Sequence, residues 1–201
     1  CVLNIKDSNI KLKCHRIILA NASEFFFNAF TSGMLEEQKG EVEITFNPLN
    51  LFPGVVFFLY TSFIDLNDTN IMAFYEFAHF YGIQVLLNSI NQTIQEQGPA
   101  NIMKYVKSCY ANEFDKALSL LVPFLAQFFE NISIGEFSEN LDIKTFCAVV
   151  EQAARLKTFT GDVVKVLNQF LNGAKPDQQE DLELRNLISQ FAPSPTLPDW
   201  L

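Results

Sequence analysis

The chain has 201 residues, 14 Lys or Arg against 23 Asp or Glu, a net charge of −9 and a pI near 4.7. At 49% hydrophobic and 18% charged it is neither a disordered nor a collagen-like sequence, and a chain this long buries roughly 70% of its unfolded surface without needing disulfides or metals. The acidity is even, with 5 basic and 10 acidic side chains in residues 1–96 and 9 and 13 in residues 97–201, so no basic patch can displace phosphate counterions and nucleic acid is not an expected partner.

Val2-Leu3-Asn4-Ile5 and Ile10-Lys11-Leu12-Lys13 flank the polar turn Lys6-Asp7-Ser8-Asn9, which predicts a β-hairpin. Apolar residues at three-and-four spacing in 15–20 and 25–30 predict two short helices, split near Ala22-Ser23 with Ser23 capping the second. Gly33 ends that helix. Glu41 to Phe46 alternates strictly and predicts a half-buried strand, broken by Asn47-Pro48. A helix follows from Leu49 to Tyr60.

The remainder reads as helical. Asp68-Thr69-Asn70 opens a helix from Ile71 to Tyr81, stopped by Gly82, and a second runs from Ile83 to Glu96. Gln97-Gly98-Pro99 is the clearest boundary signal in the chain. Ala100 to Ala111 and Glu113 to Glu130 form another pair. Residues 70–87 resemble 101–118 at an offset of 31: Asn70-Ile71-Met72 matches Asn101-Ile102-Met103, and Leu87 matches Leu118. A helix-hairpin repeat produces such self-similarity, and a looser third copy spans Asn140 to Leu171. The proline-rich segment 192–201 cannot continue a helix.

The 21 Phe stand beside one Trp and five Tyr. Phe supplies bulk without a polar handle, which suits cores and contact surfaces and not chemistry. No phosphate-loop glycine motif, HExxH or Cys/His zinc spacing occurs, so no metal or cofactor is expected. His79 lies among Phe77 and Phe80 as a structural imidazole, and Glu36-Glu37 reads as a solvated loop. Four cysteines without CxxC read as reduced, buried thiols of the cytosol or nucleus. Without a signal peptide, the sequons at Asn21, Asn67, Asn91 and Asn131 read as chance matches. The longest apolar run, Val55 to Tyr60, is far below the ~18 residues of a membrane span. The chain begins at Cys1 and reads as a fragment of a longer protein. No enzyme is expected.

Residues 2–90 resemble a BTB/POZ domain. The resemblance rests on Cys1-Val2-Leu3-Asn4-Ile5, on His15-Arg16-Ile17-Ile18-Leu19-Ala20-Asn21-Ala22-Ser23-Glu24-Phe25-Phe26 and on Phe30-Thr31-Ser32-Gly33-Met34. It continues through Val42-Glu43-Ile44, Val56-Phe57-Phe58-Leu59-Tyr60-Thr61 and Asn70 to Ala78, with Tyr81 and Gly82. Residues 98–190 are similar, less specifically, to the helical BACK extension that follows many such domains. The expected fold is therefore an α+β BTB/POZ domain (a small sheet with helices) at 1–96, an all-α helical-hairpin domain at 97–191 and a tail at 192–201.

The resemblance implies a non-catalytic interaction module. Many relatives recruit a cullin scaffold of the cullin-three type into a ubiquitin ligase, through a hydrophobic-x-Glu motif on the loop before the third strand. Met34-Leu35-Glu36 falls at that place, where an apolar anchor and a carboxylate that fixes register would meet the partner. Tyr81 joins this expected partner-binding set, and Ile102 to Leu125 would supply the further contact. Val2, His15 and Arg16 fall in the region tied to structure and to the homodimer, with His15 joining strand to helix. Val2 replaces an Asp that many dimeric members pair with the residue matching Arg16, and the family helix ahead of the first strand is absent from this sequence. The alternative to a cullin adaptor is a self-associating scaffold or transcription-type module without cullin binding.

Overall fold

A computed structural model describes residues 1–6, 8–33, 35–159 and 161–174, together with Leu182 and Arg185. Its sheet has three strands, β1 (Val2–Ile5), β2 (Ile10–Lys13) and β3 (Glu41–Ile44), in the order β2-β1-β3. β1 pairs antiparallel with β2 and parallel with β3, so the chain must cross over between them. The crossover carries α1 (Arg16–Ala22), α2 (Glu24–Thr31) and α3 (Leu35–Lys39). Leu3, Ile5, Val42 and Ile44 are buried, as the alternation predicts for a sheet covered on one face. Ser23 caps α2 by accepting from the Phe26 amide at 3.2 Å.

After a short 3-10 turn at Pro48–Asn50 come α4 (Phe52–Thr61), α5 (Ile71–Phe80) and α6 (Gln84–Gln97). Then follow α7 (Pro99–Asn112), α8 (Asp115–Gln127), α9 (Ile134–Asn140), α10 (Ile143–Leu156) and α11 (Val163–Ala174). Both copies of the repeat are helix pairs, α5–α6 and α7–α8, and the stretch 140–171 holds α10 and most of α11. The proline-rich segment 192–201 lies outside the described residues.

The helix expected from Glu113 to Glu130 is α8 followed by a 3-10 turn at Phe129–Asn131, with Glu113 left-handed at φ +56°, and three expectations change within residues 1–97. The helix expected from Leu49 begins at Phe52, because Leu49 and Asn50 adopt left-handed backbone (φ +53° and +56°) that an α-helix cannot contain. The strand expected to reach Phe46 stops at Ile44, where Lys6 makes the last backbone bond to β3. Residues 35–39, expected as a loop, form the short helix α3.

Two compact units result. The first comprises Cys1–Gln97 and also Ser108–Ala117, wider than a division at residue 97; the second comprises Gly98–Lys107 and the described residues from Leu118 on. The first has an aromatic core centred on Tyr81, which touches the rings of Phe25, Phe26, Phe46, Phe52, Phe77 and Phe80. In the second, Phe146 stacks on Phe170 with centroids 3.8 Å apart, and Phe129 and Phe137 complete the cluster. There α9 packs on α11.

Candidate partner-binding site

The first unit carries a groove of about 310 Å³ lined by Phe25, Asn28, Ala29, Ser32, Glu36, Val42 and Glu43. The α2 residues recur at three-and-four spacing, so one face of that helix forms a wall. β3 supplies Val42 and Glu43, and α3 supplies Glu36. The floor is apolar and the rim polar, with two carboxylates and no basic side chain among the lining residues. Phe25 is held edge-on against Phe26 and Tyr81, at 5.2 and 5.1 Å between centroids.

Helix α3 stops where Gly40 takes φ +69° and its amide bonds the Glu36 carbonyl at 2.9 Å. The left-handed φ favours glycine at position 40, and a Cβ there would also push aside the end of the Arg16 side chain, 2.7 Å away. Val2 donates to the Gly40 carbonyl at 2.8 Å, which ties the helix end to β1. The Glu36 backbone is thereby fixed beside the groove, and its side chain is half-buried. Of the expected motif, Met34 lies outside the described residues and Leu35 is placed by its backbone in α3.

Tyr81 corrects the expected partner-binding set. It is 1% exposed, and its hydroxyl donates to the Phe46 carbonyl at 2.9 Å, while its own carbonyl accepts from Ser23 Oγ. Burial pushes its phenol pKa up. A side chain so enclosed cannot meet a partner; it acts by holding Phe25, which lines the groove. Gly82, at φ +62°, follows it closely enough to Glu24 that a Cβ would meet that side chain at 2.9 Å.

Val2 and His15 share a shallow hollow of about 300 Å³ with Cys1, Lys13 and Cys14. The His15 amide donates to the Tyr60 hydroxyl at 2.7 Å, and its Nδ1 lies 3.0 Å from the same oxygen. His15 thus stands at the N-cap of α1 and bridges the end of β2 to α4. Arg16 lies elsewhere, its guanidinium 5.5 Å from the Phe30 ring centre. Val2, in register with Glu41, is half-buried.

Glu76 went unnoticed in the sequence. It is 8% exposed on α5 and accepts from the Ala117 amide at 2.8 Å, satisfying an orphan donor in the first turn of α8. The signal was there: one acid amid Phe74, Tyr75, Phe77 and Ala78. Burial, reinforced by the Glu76 charge, pushes the Cys109 thiol up to about 12. Cys14 is buried too, and Cys1 and Cys147 are half-buried. No group of three His, Cys, Asp or Glu side chains could hold a metal among the described residues, and no described helix is long and apolar enough to cross a membrane.

Residues 1–98 match the BTB/POZ domain model. Kelch-like protein 7 of Rattus norvegicus is 25% identical over 170 residues, covering 84% of this chain and 29% of that protein. Kelch-like protein 36 of Mus musculus is 24% identical over 172 residues, 85% of this chain and 28% of its own length. Kelch repeat protein M-T8 of Myxoma virus is 22% identical over 129 residues, 62% of this chain and 25% of that protein. The chain spans less than a third of each of these relatives. With the three-stranded sheet and its helices, residues 1–98 are a BTB/POZ domain, and helices follow it, so the fold is α+β with a helical extension.

Proposed function

Proceeding from a BTB/POZ domain at residues 1–98, we propose that this chain is a non-catalytic interaction module that recruits a cullin scaffold of the cullin-three type, as a substrate adaptor of a ubiquitin ligase. The observation that carries it is Glu36, held half-buried at the groove by a helix whose end is tied to β1 and packed against Arg16. With its backbone held in that way, only the side-chain rotamers of Glu36 remain to be ordered when a partner's donor reaches the carboxylate. Met34, one residue pair ahead, supplies the apolar anchor, and the following helices form a BACK-like extension that adds contact. Substrate is held by a segment other than the one described, which agrees with relatives named for kelch repeats, of whose length the matched part is only 29% and 25%. Calorimetric titration with the cullin's N-terminal domain tests the reading. The expected result is saturable binding that Glu36→Ala weakens about tenfold; binding untouched by Glu36→Ala and Met34→Ala sinks the assigned contact.

Self-association is the second reading. Helix α1 packs on both α2 and α4, and each leaves a large apolar side chain to solvent: Ile17 at 78%, Phe27 at 53% and Phe57 at 54% exposed. Surface of this kind favours a protein partner. Sedimentation of the parent chain and of an Ile17→Asp variant measures it, with dimer in the first and monomer in the second.

A further inference from the structure

We propose that the free edge of β3, with the groove beside it, takes an extended segment of a partner protein in which Lys or Arg alternates with small apolar residues. The order β2-β1-β3 leaves the far side of β3 without a strand among the described residues. Val2 donates to the Gly40 carbonyl and Lys6 to the Ile44 carbonyl, so the even-numbered residues of β3 aim their peptide groups at β1. Bonding residues alternate in a parallel ladder, which turns the amide and carbonyl of Glu41 and Glu43 outward. The groove touches both Val42 and Glu43. Successive side chains of a strand point to opposite faces, so a groove lined by both opens on the edge itself.

The lining then selects the occupant. An added strand would pair its backbone with Glu43, as in strand-addition recognition, and would alternate its side chains between two surroundings. On the Val42 side it meets Phe25 and Ala29, which admit small apolar groups. On the other it meets the exposed carboxylate of Glu43, with Glu41 two residues away. Directly opposed unlike charges support a strand pair and like charges oppose it, so a basic side chain is favoured there and an acidic one excluded. The edge carboxylates also discourage indiscriminate pairing with other sheets. The inference rests on the groove of the cullin reading and goes beyond it, since it uses the outward peptide groups of β3, which that reading does not.

The chain's own β2, Ile10-Lys11-Leu12-Lys13, has the same alternation, which makes a second copy the competing occupant. The test is fluorescence anisotropy of a short labelled peptide alternating Lys and Val, titrated with the whole chain. Two control peptides have the same composition, one with Lys and Val segregated into blocks and one N-methylated along the pairing edge. The alternating peptide should bind; N-methylation should weaken it about tenfold and Glu43→Lys, at an exposed position, about fivefold. The Glu36→Ala variant titrated with the cullin domain, and the N-methylated peptide titrated with the parent chain, read the two proposals separately, so failure here is distinct from failure of the adaptor reading. Equal binding of all three peptides would reduce the effect to attraction by an anionic chain and overturn the proposal. No binding would do the same, as would self-association abolished by Glu43→Lys and restored by adding Lys11→Glu, which would assign the edge to a second copy.

Discussion

The chain's phenylalanines build two cores of different kinds. In the first unit six rings surround Tyr81, whose hydroxyl and carbonyl both make hydrogen bonds to other segments. That assembly reaches the surface: Phe25 lines the groove and Phe80 is 48% exposed. In the second unit Phe129, Phe137, Phe146 and Phe170 are all buried and meet by ring contact. A polar hub fixes one arrangement of rings and passes it on to a binding surface, whereas stacked apolar rings supply stability and leave the surface to others. Substitutions in the first core should therefore be felt at the groove, and those in the second only as lost stability.

Phe146→Ala should have the largest effect. It removes a fully buried ring stacked at 3.8 Å on Phe170, which costs about 3–5 kcal/mol. Thermal denaturation checks it, and groove binding by the protein still folded should be unchanged; a groove that also weakens would break the comparison. Glu76→Ala comes next. It leaves the Ala117 amide buried and unpaired, a loss of about 2–3 kcal/mol in urea unfolding, and Glu76→Gln, which keeps an acceptor, should lose less.

Alkaline pH acts on the same region. Cys109 is raised in the folded state from 9.0 to about 12, so the folded protein holds a proton that the unfolded chain releases. Its contribution is complete below pH 9 and is lost as pH rises toward 12, at up to about 1.4 kcal/mol per unit. Tyr81 adds to the same slope in the same direction. Unfolding free energies measured across that range should fall less steeply in Cys109→Ala. Tyr81→Phe is the smallest change: it keeps the ring and removes one hydrogen bond, costing about 1 kcal/mol. Groove affinity should fall slightly with it, because the ring that holds Phe25 edge-on loses the bond that orients it; an unchanged affinity would break the comparison.

Most strands and the first helices were legible because alternation and three-and-four spacing are local properties. Ser23 could be read as a cap from its position alone. Helix α3 could not, since Leu-Glu-Glu-Gln-Lys is too short to show a period. Tyr81 entered the partner-binding set with the family resemblance, and its burial was not legible, because its hydrogen bond to Phe46 spans 35 residues and leaves no local mark. Of the groove, only Glu36 was foreseen. Phe25, Asn28, Ala29 and Ser32 gain their meaning from the crossover that sets α2 beside β3, a fact of topology and not of pattern.

Hydrogen exchange, with and without the N-terminal domain of a cullin-three-type scaffold, tests the central claim most directly. At saturation the amides of α3 and of the C-terminal turn of α2 should become protected, and Glu36→Ala should abolish that protection at the same concentration. Saturable binding that protects other segments and leaves α3 exchanging as in the free protein would contradict the account.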